Sequence, residues 1–370
     1  MRLGGRRLWL RIGAGVIALA MIAALGVYWY LRPLLRTGTG YAAHNACALD
    51  TIARRTPLTA DLPPNPLVPY LRVSVDSGGY QATVLGVLAG QHAWSVDGFG
   101  CTLAVNRPNL GSATRIDQMG NRIARQPVPS PAPALEAALD NAFGADLDQA
   151  GRDQLGTRAV LVVSDGTIVA ERYAQGFDAG TPQLGWSMSK SVTSLLLGRL
   201  VQQGLVSLSD DHLRPEWTDE RASITIEDLL RMRSGLAWDE TYDLGTPITE
   251  MLYNQADMAS FVAAQKLAHP VGTVQQYSSG STTLLCAVLN AKLKQGADLP
   301  RQQLLARLGV SSAIWEADAV GTPVCSSYLW ATPRDWAAIG QFALQNGAWR
   351  GEQLLPTDWM ATSTTAQPVA

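Results

Sequence analysis

Residues 185–204, Gly-Trp-Ser-Met-Ser-Lys-Ser-Val-Thr-Ser-Leu-Leu-Leu-Gly-Arg-Leu-Val-Gln-Gln-Gly, constrain the fold more than any other stretch. Val192, Leu195, Leu196, Leu197, Leu200 and Val201 predict a helix that is apolar on most of its surface, closed by Gly204 as its cap. A helix apolar nearly all round must be buried, so a domain has to be built around it. Its start carries chemistry. Ser187 and Lys190 stand three apart, and positions i and i+3 share one face of a helix. A serine needs a neighbouring base to act as a nucleophile. A lysine serves as that base only where burial disfavours its ammonium form. The plain alternative is a core helix opened by capping serines.

The N-terminus reads as a separate element. Arg2, Arg6, Arg7 and Arg11 precede an uncharged run from Ile12 to Leu31. About 20 apolar residues suffice to cross a bilayer. Tyr28, Trp29 and Tyr30 stand where an aromatic belt meets the headgroups, and the basic flank predicts a cytoplasmic N-terminus with the remainder exported. A cleaved signal peptide normally has a shorter apolar region and a small-x-small site. This run ends in bulky aromatics and Arg32-Pro33, so we read residues 1–36 as an uncleaved, single-pass anchor. The expected location is the inner (cytoplasmic) membrane, with the catalytic domain facing the periplasm or the cell exterior. Arg6-Arg7 also has a faint likeness to a twin-arginine signal.

A net charge of −2 with no clustered basic face argues against nucleic acid as a partner. The four cysteines suit an exported protein. Cys47 and Cys101 are expected to pair, Cys286 reads as a buried thiol in an apolar helix, and Cys325 falls in a Ser-rich turn. Neither Cys-x-x-Cys nor His-Glu-x-x-His occurs, so no metal and no cofactor are expected.

Residues 37–126 read as a tether, to about 66, followed by a small β-rich module. Its strands are expected at Leu71–Val75, Tyr80–Leu85 and His92–Val96. Residues 127–133, Pro-Val-Pro-Ser-Pro-Ala-Pro, form a proline-rich linker. The domain from 134 to 370 opens with a helix from Leu135 to about Phe143. A hairpin follows, from Arg158 to Tyr173 about Ser164-Asp165-Gly166. Helices are expected at Glu227–Met232, Met258–Ala264, Thr282–Lys294 and Arg334–Gln345. Two strands and then many helices predict an α+β domain with a helical insertion.

Several segments then fall into one family order. Trp186-Ser187-Met188-Ser189-Lys190 is similar to a Ser-x-x-Lys element. Gly204-Leu205-Val206-Ser207-Leu208-Ser209-Asp210 is similar to the turn after it, and Ile224–Leu230 running into Ser234-Gly235-Leu236 to a helical-domain marker. His269-Pro270-Val271-Gly272 leads to Tyr277-Ser278-Ser279-Gly280, which looks like a Tyr-x-Asn element. Ala331-Thr332-Pro333-Arg334-Asp335 through Leu354-Leu355-Pro356 completes the likeness. The chain resembles the serine β-lactamase-like superfamily: class C β-lactamases, DD-peptidases, esterases and, above all, 6-aminohexanoate-dimer hydrolases. The resemblance implies an antiparallel sheet flanked by helices, with an all-helical insertion. It also implies acyl-enzyme chemistry on a small-molecule or peptide amide, ester or lactam. Two departures accompany it. Ser279 stands where the family often has Asn, and nothing after Tyr277 fits the Lys-Thr-Gly or His-x-Gly strand that closes the family's site. We therefore expect a domain lacking its final strands.

By this resemblance Ser187 is the nucleophile, and Lys190, directly or through Tyr277, takes its proton. The Ser187 N–H supplies one oxyanion donor. Trp186, Ser279 and Tyr242 are candidates for touching substrate, although Trp186 could simply pack, and Tyr242 could be a plain surface aromatic. Ser-His-Asp chemistry needs a histidine beside the serine. His44 falls in the tether, His92 in the β module, His212 in a polar loop and His269 before Pro270. The competing expectation is a catalytically inactive truncated relative, acting as a membrane-tethered binding module or without function.

Overall fold

The computed structural model describes residues 3–366. Arg2, the side chains of Arg6 and Arg7, and residues 367–370 lie outside the described part. Helix α1 runs from Leu3 to Ala48 and passes into a π-helical turn at Leu49–Ala53. From Ile12 to Leu31 it exposes its apolar side chains and is long and apolar enough to cross a membrane. From Thr37 onward its burial changes completely: Thr37, Thr39, Ala42, Ala43, Ala46 and Cys47 are buried in the protein.

Residues 37–53 are therefore no tether. Their small and polar side chains resemble linker composition, but smallness here permits close helix packing. A Cβ built on Gly40 would lie 2.5 Å from the carbonyl oxygen of Tyr253. Only glycine admits that approach of α1 to the helix carrying Tyr253.

The β-rich module is a four-stranded antiparallel sheet in sequential order: β1 (Leu71–Asp76), β2 (Gly79–Val84), β3 (Leu88–Val96) and β4 (Gly100–Leu103). The first three match the expected strands. The buried end of α1 packs on this sheet. A disulfide joins Cys47 on α1 to Cys101 on β4, as expected.

The second half begins with α2 (Pro133–Ala142), whose first residue is a proline, a residue favoured at the first helical position. Helix α3 (Gln149–Leu155) leads to the hairpin β5 (Ala159–Ser164) and β6 (Thr167–Tyr173), which turns at Asp165-Gly166. Strand β7 (Gln183–Leu184) precedes α4 (Met188–Gln202), the buried helix of the sequence argument. Helices α5 (Ile226–Leu230), α6 (Pro247–Asn254), α7 (Met258–Ala263), α8 (Ser279–Leu293) and α9 (Ala306–Leu308) form the helical region. Strands β8 (Ile314–Trp315) and β9 (Leu329–Ala331) pair with β7 in the order β7-β9-β8. At two or three residues each, these strands leave no periodic trace in the sequence. Helix α10 (Pro333–Leu344), the small hairpin β10 (Ala348–Trp349) and β11 (Glu352–Gln353), and α11 (Trp359–Thr364) follow.

The fold is thus mixed α and β, with antiparallel strands, flanking helices and a helical region between. One core runs through α4, α5 and α8, with Leu196, Leu197, Leu200, Leu229 and Leu285 fully buried. Arg334 on α10 grips Glu171 on β6 through one guanidinium edge, Nε and Nη2, at 2.8 and 2.5 Å, and donates from Nη1 to the carbonyl of Gln126. This ties the start of the proline-rich segment to the hairpin.

Gly40→Val should push α1 away from Tyr253 and lower unfolding stability by roughly 1–3 kcal/mol, the usual cost of overpacking. Gly26→Val, at a position with nothing within 4 Å of the added Cβ, is the control. Thermal melts of the full chain in detergent give the answer. Equal melting temperatures for the two variants would refute the close packing.

Candidate active site

The three-stranded sheet aims the chain into α4. Trp186 sits at φ +42°, a left-handed backbone uncommon for a bulky residue, directly before the serine. Ser187 then occupies the N-cap position of α4 with its side chain exposed. Among the described residues nothing accepts its N–H, in keeping with a donor at a helix start.

Lys190 lies one turn on and donates to three acceptors. These are Ser187 Oγ at 3.1 Å, Ser279 Oγ at 2.9 Å and the Ser326 carbonyl at 3.0 Å. Its ammonium also stands 4.8 Å from the centre of the Tyr277 ring. An ammonium has three protons, and here each has a named acceptor. The amine is therefore fixed from three sides by α4, α8 and the segment before β9.

The structure brings Ser187, Lys190 and Ser279 into one hydrogen-bonded chain. Tyr277 joins them through the face of its ring. Among the described residues no hydrogen bond links its hydroxyl to Ser187 or Lys190. Half-exposed, it stands at the edge of the site.

Glu240 is a residue that sequence reasoning passed over. Its carboxylate accepts from the Ser279 hydroxyl at 2.5 Å, from the Ser279 N–H at 2.9 Å and from the Trp238 indole at 2.6 Å. It so orients Ser279, whose oxygen is left to face Lys190. The signal was present in Trp238-Asp239-Glu240, but only the fold brings that loop to the start of α8.

Behind Lys190 lies a second correction. Cys286, expected as a buried thiol, is bonded to Cys325. The apolar run around Cys286 correctly indicated burial, but Cys325 approaches from 39 residues away. The bond fixes α8 to the segment that presents the Ser326 carbonyl. The Cys325 carbonyl accepts from Thr193 of α4 as well. His44, assigned to the tether, is also buried elsewhere than expected, with Nε2 2.9 Å from Glu316 Oε2. His212 is exposed and His269 supports a turn with Gly235. No histidine contacts Ser187 among the described residues.

Beside Ser187 opens a cavity of about 440 Å³. Trp186, Tyr242, Leu244 and Tyr253 line it, together with Thr37, Tyr41 and Pro63 to Asn65. Of the substrate candidates, Trp186 and Tyr242 line it. Trp186 also packs edge-on against Tyr41 and Tyr328, so it is both wall and packing. Tyr41 stacks on Tyr253 at 4.9 Å between ring centres. Burial pushes the Tyr41 phenol up to about 12, with Asp61 adding to the effect, and burial also raises Tyr253. These walls are uncharged at working pH.

The model of the beta-lactamase family matches residues 139–369. The chain belongs to the beta-lactamase family. Solved structures of similar fold include a 6-aminohexanoate-dimer hydrolase candidate from Bacillus anthracis, at 21% identity and a TM-score of 0.51, covering 71% of this chain and 70% of that one. A penicillin-binding protein homologue from Caulobacter crescentus shares 16% identity with a TM-score of 0.48, covering 65% and 77%. A class C beta-lactamase shares 18% with a TM-score of 0.47, covering 63% and 71%. At these identities the likeness is one of fold. The beta-lactamase family match makes the chain a hydrolase-family protein; its site residues rest on the geometry above.

Replacing Cys286 and Cys325 together by alanine should cost about 4 kcal/mol in the chain-entropy view of a cross-link of this span. Urea unfolding of the full chain, with and without the pair, measures it. A loss below about 1 kcal/mol would show that the packing of α8 on its neighbours does not need the bond.

Proposed function

We propose that this chain is a serine hydrolase acting through an acyl-enzyme on an amide, ester or lactam. The reading is carried by one observation: an amine held on three sides stands 3.1 Å from an exposed serine hydroxyl at a helix start. In this reading Lys190 is the base that takes the proton as Ser187 Oγ attacks the carbonyl. The Ser187 N–H supports the developing oxyanion. The tetrahedral intermediate collapses and the leaving group departs, taking a proton. In this reading Tyr277, whose ring lies against the amine, hands that proton on. Water then attacks the acyl-enzyme by the same route, releasing the acid and restoring Ser187. Ser279 and Glu240 hold Lys190 in place, while Trp186 and Tyr242 bound the substrate.

Helix α1 serves as a single-pass anchor in the inner (cytoplasmic) membrane, with the domain facing the periplasm or the cell exterior. Its basic flank sets that direction. Two disulfides suit the oxidising side.

A fluorophosphonate probe should label the full chain at Ser187, and Ser187→Ala should abolish labelling. Lys190→Ala should slow acylation by at least about 10²-fold, as loss of a general base does. Tyr277→Phe should leave hydrolysis of p-nitrophenyl esters within a few fold, since nitrophenolate departs unprotonated. The same change should depress hydrolysis of an alkyl amide by about 10²-fold. Labelling that persists in Ser187→Ala would place the nucleophile elsewhere.

A further inference from the structure

The cavity beside Ser187 is built partly by the same helix that carries the apolar span. Tyr41, in its wall, stands ten residues beyond Leu31 along an unbroken α1. At about 1.5 Å per residue that is about 15 Å of rise, and Thr37 lies at about 9 Å. The headgroup layer on each side of a bilayer is about 5–8 Å deep. The cavity thus begins almost where the headgroups end.

Two further observations place its mouth at that surface. Leu34, three residues past Leu31, lies 3.7 Å from the Cβ position of Gly245, beside the cavity residue Leu244. The turn between β2 and β3 leans on the span itself, since the Ala89 N–H donates to the Tyr28 hydroxyl at 3.2 Å. At the tip of that turn Leu85 and Val87 are 59% and 80% exposed. Apolar side chains at the level of an aromatic belt are at home in an interface, where water would penalise them.

The chemistry around the serine is also two-sided. On one side lies the uncharged cavity of Tyr41, Trp186, Leu244 and Tyr253. On the other, past Lys190, lies a wider groove bearing Glu227 and Arg231. A molecule reaching from the cavity past Ser187 into the groove would meet apolar side chains at one end and charged ones at the other.

We propose that the cavity receives the acyl chain of a membrane lipid ester, drawn from the leaflet at which α1 emerges, with the polar headgroup in the groove beyond Lys190. This rests on the serine-hydrolase reading and adds its substrate class. Ser187 Oγ bonds to the acyl carbon, the ester C–O bond breaks, and the lipid alcohol that carried the acyl chain leaves, headgroup attached, with the proton taken from Ser187. Water then supplies the hydroxyl that releases the free fatty acid and the proton that restores the serine.

The full chain, reconstituted in phosphatidylcholine vesicles, is tested on p-nitrophenyl acetate, octanoate and vesicle-borne palmitate. From acetate to octanoate kcat/KM should rise about two- to fourfold per methylene, the discrimination expected from burying each in an apolar site. Palmitate in the bilayer should be hydrolysed. Leu244→Trp, which fills the cavity, should lower the octanoate-to-acetate ratio at least tenfold. Pro64→Trp fills it from another segment of the lining and repeats the test if the first variant misfolds. No Ser187-dependent turnover of any ester would sink the hydrolase reading itself. Acetate turned over as fast as octanoate would overturn the acyl cavity and leave the hydrolase standing. Octanoate preferred while bilayer palmitate stays inert would overturn the membrane source.

Discussion

A carboxylate with no solvent exposure, Glu316, holds three parts of this protein to one point. It meets His44 of α1, the backbone N–H of Cys101 on β4 at 2.8 Å, and the indole of Trp330 on β9 at 3.3 Å. A buried carboxylate survives only where its oxygens are satisfied, and these are satisfied by three segments far apart in sequence. The helix from the N-terminus, the small sheet and the strands beside the serine are therefore one body. The Cys47–Cys101 bond adds a covalent link beside the same junction.

The site follows the same logic on a smaller scale. Lys190 has no freedom left: Ser187, Ser279 and Ser326 each take a hydrogen bond from it. Ser279 is itself turned by Glu240, and Ser326 is carried by a segment cross-linked to α8. Each layer fixes the one inside it. An amine so held stands beside the serine hydroxyl, the position that the proposed proton transfer uses.

Much of this was legible in the sequence because it rests on local signals. The buried helix with Ser187 and Lys190, the Asp165-Gly166 hairpin and the three strands of the small sheet each carry their own periodicity. The Tyr277–Ser279 element was legible only through its order among other segments. What escaped depends on distance. Strands of two or three residues show no alternation. Cys286 gave away its burial but not its partner. Glu240 lay in a loop whose destination only the packed core decides. Residues 37–53 misled for a physical reason: glycine, alanine and threonine make a flexible linker when solvated and a close-packed helix when a partner surface is present, and the sequence of the segment alone does not name that surface.

The unbroken run of α1 from an apolar stretch long enough to cross a membrane into the pocket wall narrows the choices for anyone preparing a water-soluble form. Trimming the chain at the start of the small sheet, the obvious place by composition, would remove Thr37 and Tyr41 along with the grease. It would also strip His44 from Glu316 and open the pocket on one side. The usable starting points lie in the few residues between Leu31 and Thr37, where the helix has left its apolar stretch and has not yet become part of the protein's interior.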